Sequence, residues 1–190
     1  MNSIETIETV VLVDAENNVI GTAAKRDVHH SETPLHRGFS AFIFDGNGRL
    51  LLQQRAFSKR TWPGVWSNSC CGHPALDESS EDAAARRLSF ELGMTGIELI
   101  NALPDFRYRA EKDGIVENEI CPVFVGFTDK QPVINPDEVE ATKWVDWNEF
   151  IASLDDPATD ISPWAVMEVR QLLSNQTFVD QYDLRTLSAR

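Results

Sequence analysis

The stretch Trp62–Gly93, WPGVWSNSCCGHPALDESSEDAAARRLSFELG, gathers a stiff aromatic turn, two adjacent cysteines, a histidine and a run of acids and arginines into one short segment. A thiol such as Cys71 has a pKa of about 8.5 when unperturbed and a lower one beside cations, so it can accept or deliver a proton. His73 follows two residues later, and His29 and His36 lie nearer the N-terminus. Glu117 and Glu119 stand two apart in a run that reads as a strand, so both side chains share one face. Three imidazoles and two carboxylates form a donor set suited to Zn2+, Mn2+ or Fe2+ rather than Mg2+. Taken singly, each residue also has an ordinary reading: a hydrogen-bonded histidine, a solvated strand face, a cysteine buried as a small hydrophobe. Spacing alone leaves open whether they converge.

A second pattern begins at Gly72. Five residues separate it from Glu78, seven more precede Arg86, and Leu88, Glu91 and Gly93 follow. This resembles the Nudix box, G-x5-E-x7-R-E-U-x-E-E-x-G-U with U aliphatic. Two acids of that box are absent: Arg87 and Phe90 stand in their places. A helix that simply buries Ala84, Leu88 and Leu92 explains the apolar positions. It does not explain Gly72, Glu78, Arg86, Glu91 and Gly93 in that register. The resemblance implies an α+β fold with a Nudix-like mixed β-sheet core, flanking helices and terminal extensions. Nudix hydrolases collect carboxylates at one helix end to hold divalent cations against a diphosphate, and oxygen ligands suit Mg2+. With a phenylalanine and an arginine in two acid positions, hydrolysis is the alternative reading rather than the leading one.

Composition narrows the classes. The chain has 190 residues and a net charge of −13, which argues against general nucleic-acid binding. Basic residues nonetheless cluster around the motif: Arg55, Lys59, Arg60, Arg86 and Arg87. No apolar run approaches the length of a membrane span, and MNSIETIETV has no basic start of a signal peptide. The 3 cysteines suggest no disulfide framework. The expectation is a cytoplasmic protein with reduced thiols, without membrane or nucleic-acid partners, working as a monomer or weak homodimer.

The elements that must position these residues follow from periodicity and turns. Thr9–Val13 and Val19–Thr22 read as a hairpin, and 25–34 as loop. Gly38–Phe44 and Arg49–Arg55 flank the turn Asp45-Gly46-Asn47-Gly48, the strongest hairpin signal. Ser79 or Ser80 caps a helix, with Asp82 placed for a capping box on Ser79, and Gly93 ends it. Ile97–Leu103 and Phe106–Arg109 read as strands. Ile115–Phe127 reads as one long strand, with Pro122 implying an edge or bulge. Val139–Trp147 is a further strand, Asn148–Leu154 a short helix, and Trp164 to Asn175 a helix with Pro163 in its first turn. The tail to Arg190 reads as a surface or frayed helix. The expected organisation is one domain over 1–190: an N-terminal hairpin and metal-binding loop (1–37), a Nudix core (38–155) and a C-terminal helical segment (156–190).

Five strings, HRGFSAFIF, WPGVWSNSCCGHP, FRYRA, GIVENEICPVF and SPWAVM, occur in this order. Together they resemble the type I isopentenyl-diphosphate isomerases from about Lys25 to Met167. The resemblance implies interconversion of isopentenyl and dimethylallyl diphosphate by protonation at one carbon and deprotonation at another, feeding isoprenoid synthesis. Carried onto this chain, it makes Cys71 and Glu119 the acid/base pair on opposite faces of the substrate. Tyr108 and Trp164 become the aromatics beside the reacting carbons. His29, His36, His73, Glu117 and Glu119 become ligands of one divalent metal, Mn2+ or Zn2+. Glu91, with the backbone carbonyl of Cys71, meets a Mg2+ bound with the diphosphate. Lys25, Arg55, Lys59 and Arg87 match diphosphate contacts. A guanidinium binds a diphosphate bidentately without attacking it, which gives Arg87 a reason to replace a carboxylate. Tyr108 is expected to hydrogen-bond Glu119 and relay its proton.

Overall fold

The computed structural model describes residues 8–156 and 158–186. The acidic stretch 1–7, on which part of the N-terminal expectation falls, lies outside the described residues. In chain order, β1 (Thr9–Val13) and β2 (Val19–Ala24) form the opening hairpin, its turn tied by Asp14 to Asn18. One helical turn, α1 (Lys25–Val28), follows where the sequence predicts loop. Val28 is buried there, and tertiary packing outweighs the polar local sequence. Then come β3 (His36–Arg37), β4 (Phe39–Phe44), β5 (Arg49–Arg55), β6 (Trp66–Ser67), β7 (Cys70–Gly72) and helix α2 (Ser80–Leu92). The chain continues through β8 (Leu99–Leu103), β9 (Arg107–Lys112), β10 (Ile115–Ile120), β11 (Val123–Phe127) and β12 (Val139–Asp146). Helices α3 (Trp147–Ser153), α4 (Pro163–Leu172) and α5 (Gln176–Thr186) finish it.

The strands divide between two sheets, ordered β2-β1-β3-β10-β9 and β12-β5-β4-β11-β8. The expected single strand 115–127 is therefore two. Cys121-Pro122 is the point where the chain leaves one sheet for the other. Proline has no N–H to continue a ladder, but its carbonyl accepts from Ser40 N at 3.1 Å. Gly38 plays the matching part between β3 and β4, and its N–H bonds Ile120 O at 2.9 Å. The two crossings run side by side in parallel register, with His36 opposite Glu119 and Ser40 opposite Val123.

β4 and β5 touch only at Phe44 and Leu50, then splay. The WSNSCCG segment fills the gap, β6 pairing with β5 and β7 with β4. These two short strands have no periodicity of their own; the open sheet edges create them. Buried polar side chains pin the insert. Ser69 Oγ donates to Leu51 O at 2.6 Å and accepts from Ile43 N at 2.8 Å. Asn68 Nδ2 donates to Ala41 O and Cys70 O.

Helix α2 starts as its sequence demands. Ser79 Oγ accepts from Asp82 N at 3.0 Å, while the Asp82 carboxylate meets the Ser79 hydroxyl. Gly93 ends it in the left-handed region at φ 62°. Ala83, Ala84, Leu88 and Leu92 pack on Phe39, Ala41 and Ile43. The tail forms the expected surface helix, α5, which docks through Phe178 and Tyr182 around Phe44 and Trp147.

Candidate active site

Three histidines from three elements form a triangle. His29 follows α1, His36 lies in β3 and His73 follows β7, and their ring centroids are 5.1 to 5.5 Å apart. The parallel pairing of β3 with β10 sets Glu119 beside His36, and the period of two turns Glu117 to the same side. Ligand atoms of His29, His36, His73 and Glu117 all lie within 4.8 Å of one another. Glu119 Oε1 adds itself at 3.0 Å from His73 Nε2 and 3.4 Å from His36 Nε2.

The residues fit a divalent ion. His29 Nδ1 lies 3.1 Å from Lys25 O and His36 Nδ1 2.9 Å from Pro34 O. A carbonyl only accepts, so Nδ1 carries the proton and Nε2 is the atom each ring turns inward. His29 Nε2, His36 Nε2 and Glu117 Oε2 are buried without a hydrogen-bond partner. His29 Nε2 and Glu117 Oε2 are only 3.0 Å apart, yet misaligned for a hydrogen bond, as expected when both aim at a shared centre. Burial pushes His73 down to about 4. Burial likewise opposes ionisation of Glu119, but His36 and His73 outweigh it and hold the carboxyl well below its usual range. For His36 burial is outweighed by Glu119, and its pKa is raised. Gly38 lets the Glu119 carboxylate lie against the backbone, because a Cβ there would collide with it.

The expected second ion is less complete. Glu91 is buried, but its Oε1 accepts from Arg87 at 2.5 and 2.8 Å and its Oε2 from Gln53 at 3.1 Å. It stands outside the ligand cluster. An ion at Glu91 would have to draw most of its oxygens from elsewhere, such as a diphosphate.

One chamber unites the remaining candidates. Cys71, Glu119, Tyr108 and Trp164 line it, and so do Lys25, Arg55, Lys59 and Arg87. Its volume of about 40 Å³ accommodates about three waters, the bulk of a short hydrocarbon chain. Outside it lies a mouth of about 460 Å³ lined by Lys25, Arg55, Lys59 and Arg60. The four cations come from α1, β5, the following loop and α2. Arg55 is clamped by Thr61 O, with Nη1 3.8 Å from Cys71 Sγ. Burial pushes the Cys71 thiol up to about 12, with Arg55 pulling the other way. Any thiolate formed here leans on the cations around it.

Aromatic side chains close the inner end. Trp164 packs edge-on against Trp62 with centroids 5.2 Å apart, and lies 6.0 Å from Tyr108. Its Nε1 donates to Asn68 Oδ1 at 3.2 Å. The expected hydrogen bond from Tyr108 to Glu119 is not formed among the described residues. Tyr108 faces Glu119 across the β9–β10 ladder, where the antiparallel register sets the two Cα atoms opposite without bringing the hydroxyl onto the carboxylate. Burial and the nearby carboxylates keep this phenol neutral. Glu78 and Arg86, two box positions, have a structural part: they form a bidentate pair with both contacts at 2.7 Å. Sequence reasoning missed Asn68, Glu8 and Glu138. Only the NSCCGH string hinted at Asn68, and nothing pointed to the other two.

A family model described as the NUDIX domain matches residues 34–165. A protein of Saccharopolyspora erythraea named isopentenyl-diphosphate Delta-isomerase is 52% identical over 168 residues, 88% of this chain and 87% of the relative. Proteins of the same name from Mycolicibacterium vanbaalenii and an Escherichia coli O139:H28 strain are 49% and 46% identical, covering 89% and 88% of this chain and 93% and 95% of theirs. Among solved structures, one from Deinococcus radiodurans aligns with a TM-score of 0.68 at 19% identity, over 86% of this chain and 98% of that one. A MutT NUDIX hydrolase from Burkholderia pseudomallei aligns with a TM-score of 0.54 at 25% identity, over 72% and 97%.

Proposed function

The chain belongs to the isopentenyl-diphosphate Delta-isomerase family, and from that premise we propose how its own residues carry the reaction. It is an isomerase that converts isopentenyl diphosphate to dimethylallyl diphosphate. The observation that carries the mechanism is the single chamber on which Cys71, Glu119 and the four cations converge.

Lys25, Arg55, Lys59 and Arg87 hold the diphosphate, and the five-carbon chain enters the inner chamber. Cys71 and Glu119 lie on opposite faces of that chain. One delivers a proton to the terminal carbon of the double bond, and the other removes a proton from the neighbouring methylene. An alkene is a weak base, so its protonation demands a strongly assisted acid and a site without water. The intermediate is a tertiary carbocation. Trp164 offers it a π face, a contact worth about 2 kcal/mol or more when desolvated. Asn68 holds the indole in place. Tyr108 remains a neutral wall beside Glu119. Arg55 stabilises negative charge at Cys71 Sγ.

His29, His36, His73, Glu117 and Glu119 would hold Zn2+ or Mn2+, and such an ion would supply the charge that sets the proton affinity of the Glu119 carboxyl. Glu91 and the backbone carbonyl of Cys71 would meet Mg2+ arriving with the diphosphate. The N-terminal hairpin, the core and the C-terminal helices act as one unit, working in the cytoplasm as a monomer or weak homodimer.

Incubation with isopentenyl diphosphate, Mg2+ and trace Zn2+ or Mn2+ in deuterated water tests the reading by NMR. Dimethylallyl diphosphate carrying solvent deuterium is expected, and it is lost in Cys71→Ala and Glu119→Gln. Inorganic phosphate appearing instead would restore the hydrolase alternative. Full activity in both variants would overturn the acid/base assignment.

A further inference from the structure

Three of the four cations assigned to the diphosphate, Lys25, Lys59 and Arg87, are already paired with carboxylates. Lys25 Nζ donates to Glu8 Oε2 at 2.7 Å, and Arg87 Nη1 lies 3.5 Å from Glu8 Oε1. Lys59 pairs with Glu138, which also takes Arg87 Nη2 at 3.0 Å. Glu8 and Glu138 thus share three cations, Arg87 holding Glu91 as well, but the two differ in kind. The Glu138 side chain is 16% exposed, and its backbone is fixed to Ala56 and Asn135. The Glu8 backbone is also held, its carbonyl accepting from Lys25 N at 2.8 Å, but its side chain, just before β1, is 54% exposed. Glu138 is built into the floor, whereas Glu8 leans in from the rim.

Glu8 also stands between two hollows. It lines the mouth of about 460 Å³ with Arg55 and Lys59. It lines a second hollow of about 290 Å³ with His73 and Arg87. A carboxylate offers Lys25 and Arg87 what a phosphoryl group offers: paired oxygens and negative charge. Burial works against its ionisation, but Lys25, Arg87 and Lys59 outweigh this and hold Glu8 below the usual carboxylate range.

We propose that Glu8 is a built-in occupant of a phosphoryl subsite, which the substrate displaces, and that this competition sets a threshold that weak monophosphate binding does not clear. This inference rests on the isomerase reading above. A tethered carboxylate competes at a high effective concentration without losing translational freedom. A monophosphate brings a charge of about −1.5 to −2 and one phosphoryl group. It gains little by expelling a carboxylate from Lys25 and Arg87. A diphosphate spans Arg55 and Lys59 as well as Lys25 and Arg87, so it recovers contacts on both sides of Glu8. Once displaced, Glu8 has solvent to turn into, and an exposed ion pair is weakly held.

The test uses Glu8→Gln, near-isosteric and uncharged, with Glu8→Ala as a second variant. Calorimetry on the whole protein measures inorganic phosphate and inorganic pyrophosphate as probes, and steady-state kinetics gives KM for isopentenyl diphosphate. Phosphate and pyrophosphate affinities are each expected to rise about threefold, and KM to fall about threefold. A gain for pyrophosphate with none for phosphate would overturn the threshold. Unchanged or weakened binding of both, in either variant, would overturn the displacement and make Glu8 a support for Lys25. The binding arm needs no turnover, so its result stands apart from whether the wild type isomerises its substrate.

Discussion

Saturating the three-histidine cluster with Zn2+ or Mn2+ is expected to raise the melting temperature by about 6–12 °C. His29 Nε2, His36 Nε2 and Glu117 Oε2 are buried and unsatisfied. Each such atom costs about 1–3 kcal/mol, so the three together cost roughly 3–9 kcal/mol in the metal-free protein. An ion satisfies them all at once. Mass action supplies the low end of that range, about 3 kcal/mol, when free metal is on the order of a hundred times Kd. In a chain of this size each kcal/mol moves Tm by about 2–4 °C, which gives the stated shift. Calorimetric melting of chelator-stripped protein, titrated with metal, measures it. His29→Gln removes one inward lone pair and should lose most of the increment. An increment under about 2 °C in the wild type, or equal increments in wild type and variant, would refute the reasoning.

Three further outcomes follow from contacts at the site. Gly38→Ala drives a methyl group into the Glu119 carboxylate, so turnover should fall by more than about a hundredfold, since ångström-scale misplacement alone reaches that size; retained turnover refutes the tight fit. Arg87→Met leaves Glu91 and Glu138 without their shared guanidinium, which should destabilise the fold by about 3–5 kcal/mol in denaturant unfolding and raise KM together. Metal-free protein should weaken as pH falls from about 6.5 toward 4. His73, whose folded pKa of about 4 lies below its unfolded one, confers stability that is present at neutral pH and lost over this window, whereas Glu119, also lowered, loses its share only as pH falls below about 4.5. His36, raised, partly opposes this. The net loss is of order 2 kcal/mol, read from urea midpoints at pH 7.5 and 4.5, and His73→Asn should flatten the slope.

Much of the architecture was local and therefore readable. The Asp45–Gly48 turn, the Ser79 cap and the Gly93 stop are each set by residues within one turn of the backbone. The two sheets were not readable in that way. The run 115–127 is apolar enough for one strand, and only the neighbouring crossing at Gly38 makes Cys121-Pro122 a passage between sheets. α5 looked polar along its length, and its docking depends on the aromatic cluster around Phe44 that it meets.

The types of the reacting groups are written in the chain: a cysteine, a glutamate, three histidines and four cations whose spacing matches one family. Those identities are chemical, and they stand in the chain whatever its fold. Only the tertiary structure decided what those groups face. Parallel pairing brings His36 beside Glu119 across more than eighty positions of sequence, and the splay of β4 from β5 opens the slot that holds Cys71. It also brought in Glu8 and Glu138, ordinary acids in sequence, because their role depends entirely on the cations that folding sets beside them.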